Sequence, residues 1–134
     1  MTSLENLYFA MGELAYAIAF SDGKVQKEER EKFQEIIATG LKEHKVEFDI
    51  SDIIFQMLEK DKVYSNTVYD WAMKEIKSNS HYLSPALKHS FINILEKIAE
   101  AFPPITDEEI NLLQRFKKEM VLIEGDPVYY EKSL

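Results

Sequence analysis

Apolar residues recur along this chain at intervals of three and four, the period of a helix with one buried side. In the first such stretch Leu4, Leu7, Met11, Leu14, Ala15 and Ile18 share a face, while Tyr8, Phe9, Tyr16 and Phe20 make much of the opposite face apolar too. The pattern predicts a helix from Ser3, a good N-cap, to about Phe20, and a helix apolar nearly all round belongs at the centre. Asp22-Gly23 then marks a turn. A second helix is predicted over 27–43, burying Phe33, Ile36, Ile37 and Leu41 and exposing Glu28, Arg30, Glu31, Lys32 and Glu35.

Beyond a polar connection, Ile53, Ile54, Met57 and Leu58 predict a short third helix over 51–60. A fourth follows Ser65 to about Lys77 with Val68, Trp71, Ala72 and Ile76 turned inward, and Ser78-Asn79-Ser80 reads as a loop. Ser84-Pro85 supplies an N-cap and a proline at the first helical position. The fifth helix it opens buries Leu87, Phe91, Ile94, Leu95, Ile98, Ala99 and Phe102, and Pro103-Pro104 ends it. Thr106 to Glu109 forms a capping box, with Ile105 and Ile110 at staple spacing. The sixth helix continues through Leu113, Phe116 and Met120 until Glu124-Gly125-Asp126-Pro127 breaks it. The end is either a docked tail using Tyr129 and Tyr130 or frayed. No stretch alternates with the period of a strand. The chain is read as all-α, with about six helices.

An offset of 80 residues lays Ile18 on Ile98, Ala19 on Ala99, Val25 on Ile105, Glu28 on Glu108, Glu29 on Glu109, Phe33 on Leu113 and Gln34 on Gln114 without a gap. Two pseudo-repeated helix-turn-helix lobes therefore surround the apolar first helix: lobe one over 3–43, a bridge over 44–83, lobe two over 84–121 and a tail over 122–134. Asp22-Gly23 is matched by Phe102-Pro103, so an acidic turn is complete in one lobe at most.

Composition narrows the chemistry. With 134 residues, 46% of them hydrophobic, the chain suffices for one domain with a real core. It has no cysteine, which excludes thiolate metal sites, disulfides and cysteine nucleophiles. A net charge of -8 repels phosphate backbones and anionic membranes, so no nucleic-acid partner is expected. The most apolar segment, Leu7 to Phe20, is too short to span a bilayer and has no basic leader, so neither membrane insertion nor secretion is expected. A cytoplasmic location is expected.

The candidate chemistry sits at the Asp22 turn. Gly23 suits a turn that needs positive φ, Asp22 can bond the turn's own backbone, and Glu29 can satisfy free N–H groups of a first helical turn. The same spacing matches half of an EF-hand loop, but Ile18 and Phe20 stand where that loop needs oxygen donors. Asp22 and Glu29 alone would bind calcium no better than about millimolar. Histidines 44, 81 and 89 lie in no metalloprotease or nucleophile-elbow context, and His89-Ser90 and His81 with Ser84 are unspecific pairs. No catalytic residue is assigned.

Asp22-Gly23, followed by Val25 and by Glu29, resembles the signature of the TerB-like, or tellurite-resistance, helical family. That resemblance implies paired helical lobes and a divalent cation held by acidic residues, here Asp22 and Glu29. It further implies a non-enzymatic interaction or sensing module in a stress-related assembly. On this reading the Asp22 turn and the acidic second helix face a basic protein partner, with a homodimer left open. No cofactor is expected beyond a weakly bound divalent cation, and the alternative function is cation binding itself.

Overall fold

The computed structural model describes residues 2–19, 27–44, 65–102 and 105–131. Among them lie six α-helices and no strand: α1 (Ser3–Ala19), α2 (Lys27–Gly40), α3 (Ser65–Ser78), α4 (Pro85–Ala101), α5 (Asp107–Leu122) and α6 (Pro127–Tyr130). Short 3-10 turns occupy Lys42–His44 and Ser80–Tyr82. The helix predicted over 51–60, the Asp22-Gly23 turn and Pro103-Pro104 fall outside the described residues.

α1 is the centre, as its apolar pattern demands. Every residue from Ala10 to Ile18 is buried, with Leu14 at 1% and Ile18 at 2% exposure. Its cap lies one residue earlier than expected. The Thr2 Oγ1 accepts the Glu5 N–H (3.1 Å) and the Glu5 carboxylate accepts the Thr2 N–H (2.9 Å), so two free donors are satisfied reciprocally and Ser3 enters the helix. α3 and α4 both lie along α1, and their inward faces, Val68, Ala72, Met73 and Ile76 from one and Leu87, Phe91, Ile94, Leu95 and Ile98 from the other, close the core.

α2 lies on α4, and α5 lies against both α4 and α1. The 80-residue offset holds at the helix starts too, Lys27 for α2 and Asp107 for α5. Gly40, the last residue of α2, is what lets it approach α4 closely: a Cβ there would meet Ile94 Cγ1 at 2.2 Å.

One expected orientation is corrected. Trp71 was expected inside, yet its side chain is half exposed, because Val68, Ala72 and Ile76 already fill the α3 face that meets α1. Glu109, which closes the predicted capping box, is buried at the third position of α5, where its N–H donates to Thr106 Oγ1 (3.1 Å). A carboxylate in a first helical turn is favoured by the positive end of the helix. α5 also buries Leu112, which the sequence reading left out.

The C-terminal segment is docked. The Asp126 N–H donates to the His81 carbonyl (3.0 Å), Lys88 Nζ donates to the Ile123 carbonyl, and the Tyr129 ring lies edge-on to His81 at 4.8 Å. Gly125 passes so close to the Leu83 carbonyl that a Cβ would sit 2.3 Å from its oxygen. No helix among the described residues is long and apolar enough to cross a membrane.

Candidate functional site

Of the two residues expected to hold a cation, Asp22 lies outside the described residues. Glu29 falls in the first turn of α2, with its side chain outside the description. Among the described residues no group of three or more metal-ligating side chains comes together.

α2 is anchored on one side only. Phe33, Ile37 and Leu41 are buried, and Glu28, Glu31 and Glu35 are exposed on the outer side. Spacings of three and four put these glutamates on neighbouring turns of one face, where like charges cost about 0.2–0.5 kcal/mol per pair. Lys32, four residues after Glu28, relieves part of that repulsion and leaves the face acidic.

A second charged surface lies between α3 and α5. Both helices rest on α1 and approach each other only weakly along their backbones, so side chains span the gap. It forms a groove of about 430 Å³ lined by Asp70, Met73, Lys74, Lys77, Arg115 and Glu119, with Ser78 at its end. Glu119 organises it: its carboxylate accepts the Tyr69 hydroxyl and lies 3.5 Å from Lys77 Nζ and 3.7 Å from Arg115 Nε. Arg115 Nη2 is 3.5 Å from Asp70, and its guanidinium stacks 4.6 Å from the centre of the Tyr69 ring. Burial raises the Tyr69 pKa, and the Glu119 carboxylate raises it further against the opposing pull of Arg115, so the hydroxyl remains a donor. Half-exposed ion pairs at these distances contribute at most about 1 kcal/mol each. Their consequence is positional, since they fix where the cations stand.

Within the core, Glu13 of α1 is buried and faces Glu75 of α3. Burial, and then the Glu75 charge, push its pKa up from 4.5 to about 7. Glu75 is held by Asn79, whose side-chain amide donates to its carboxylate (3.0 Å) and to its backbone carbonyl (2.7 Å). Glu13 is thus the carboxyl that holds its proton up to about pH 7.

The histidines occupy separate settings. His44 Nε2 is 2.9 Å from Ser90 Oγ, its carbonyl accepts the Tyr8 hydroxyl (3.2 Å), and burial lowers its pKa. His81 packs edge-on against Tyr129 and at a tilt against Tyr82, and His89 pairs with Asn93 one turn on (3.1 Å). None of the three lines the α3–α5 groove or the cleft of about 400 Å³ around Leu83, Lys88 and Tyr130. The structure brings Ser90 to His44 rather than to His89, its neighbour in sequence.

The groove residues were missed by sequence reasoning. Arg115 and Glu119 at i,i+4 and Lys74 and Lys77 at i,i+3 read as ordinary helix-surface pairs, and nothing local says that the two helices face each other. Compared with known proteins, the chain matches no family model, no curated protein and no solved structure.

Proposed function

We propose that this chain is a non-enzymatic interaction or sensing module of TerB-like type, working in the cytoplasm as part of a stress-related assembly. Its acidic α2 face meets a basic surface on a protein partner. The observation that carries the reading is the one-sided anchoring of α2. Phe33, Ile37 and Leu41 hold the helix to the core, while Glu28, Glu31 and Glu35 stand together on the side no described element covers. The apolar central helix supports the family comparison on architecture alone, and the Asp22-Gly23 signature supports it on sequence.

Replacing Glu28, Glu31 and Glu35 together by lysine tests this. Captured from native extract at low salt, the partner set of the wild-type chain should be released by added salt and lost from the triple variant, whose solvent-facing positions leave the core intact. Retention of the same proteins by both chains overturns the acidic-face reading.

The rival reading makes Asp22 and Glu29 direct ligands of a divalent cation, as the family resemblance implies. Calorimetric titration with calcium, magnesium and manganese should then give binding in the wild type that Asp22→Ala abolishes. Heat that is absent, or indifferent to the substitution, removes the cation from consideration.

A further inference from the structure

We propose that the groove between α3 and α5 binds a carboxylate side chain from an acidic segment of another protein, seated on Lys74 and Arg115 beside Trp71. Three cations, Lys74, Lys77 and Arg115, and two carboxylates, Asp70 and Glu119, line it. Both carboxylates are already engaged. Glu119 serves the Tyr69 hydroxyl, Lys77 and Arg115, and Asp70 serves Arg115. Among the described residues neither Lys74 Nζ nor Arg115 Nη1 has a hydrogen-bond or ion-pair partner. Two donors of positive charge thus remain on one groove, one of them a guanidinium held in orientation by the Tyr69 ring and two carboxylates.

Charge balance selects the ligand. Three positive and two negative groups leave one positive charge, which a single carboxylate neutralises. A phosphate, carrying nearly two charges, would overshoot and sit against Asp70 and Glu119. The place also suits a protein segment better than a free small anion. Trp71 lies one turn before Lys74 on α3 and is 51% exposed, so apolar surface adjoins the charged site. Buried tryptophan, tyrosine and arginine are the side chains that dominate protein interfaces. The surrounding protein, at net -8, does not gather anions indiscriminately, so acidic ligands bound here report on the groove itself.

Trp71 is the chain's single tryptophan and serves as the reporter. The full chain is titrated with N-acetylated, C-amidated hexaglutamate, with sodium acetate and with inorganic phosphate, following Trp71 fluorescence and heat. The peptide should produce a saturable change, weakened about tenfold or more by Lys74→Glu, a solvent-exposed position with no pairing to lose. Lys97→Glu on α4 changes net charge equally outside the groove and should leave the affinity within about twofold. No saturable response to the peptide, or equal weakening by Lys97→Glu and Lys74→Glu, overturns the proposal. So does acetate or phosphate binding as tightly as the peptide, which would make this a site for small anions. The groove shares no residue with α2, so this outcome is independent of the fate of the acidic-face reading.

Discussion

Glu13→Gln should stabilise the protein at pH 8 and leave it nearly unchanged at pH 4.5. In the unfolded chain Glu13 titrates near 4.5, and in the folded protein near 7. Between those values the native state holds a proton that the unfolded state has released. Stability contributed by this group therefore falls as pH rises through the window. A displacement from 4.5 to about 7 corresponds to at most about 3 kcal/mol. Because the carboxyl keeps slight access to water and Glu75 lies near it, we expect about 1–2 kcal/mol to be realised. Glutamine keeps the shape and removes the ionisation, so the variant should lack this slope. Urea unfolding of both chains at pH 4.5, 6, 7 and 8 isolates it, since other carboxylates contribute equally to both. A stability difference that stays flat across those four pH values would contradict the assignment of the proton to Glu13.

Gly40→Ala should destabilise by about 1–3 kcal/mol, although alanine is ordinarily the better helix residue by about 1 kcal/mol. The added Cβ would meet Ile94 Cγ1 at 2.2 Å and Cδ1 at 2.6 Å, and Ile94 is a fully packed core residue of α4 with little room to turn. Either α2 lifts away from α4 or Ile94 leaves its preferred rotamer. A double-mutant cycle with Ile94→Ala distinguishes this clash from a local effect at the helix end. Ile94→Ala alone should cost about 2–5 kcal/mol for the lost packing, and the double variant should cost less than the two single costs combined, because the obstructing atoms are gone. Strict additivity in thermal or urea unfolding would show that the two residues do not collide.

Most of the helical frame was legible because its signals are local. Ser84-Pro85 and Thr106 announced the starts of α4 and α5, and the apolar positions of α4 from Leu87 to Phe102 are buried as the period of 3.6 requires. α1 was readable as the central rod for a different reason: its apolar residues leave no polar side to face water. The misplacement of Trp71 shows where periodicity stops. Val68, Ala72 and Ile76 define the inner arc of α3, and a large aromatic at its margin goes in or out according to what the neighbouring helices leave open. Glu13 and Glu109 fail the same rule in the opposite direction, as charged side chains carried inward by the helices on which they sit. The groove of Tyr69, Arg115 and Glu119 depended on residues some 50 positions apart becoming neighbours, and no spacing within one helix encodes that.

The seating of α2 on α4 means that the N-terminal helices do not close an interior by themselves. α2 finds its apolar bed on α4, whereas α5 lies against both α4 and α1. α4 is therefore the bed that α2 needs, and the N-terminal helices settle only once the chain has folded through α4.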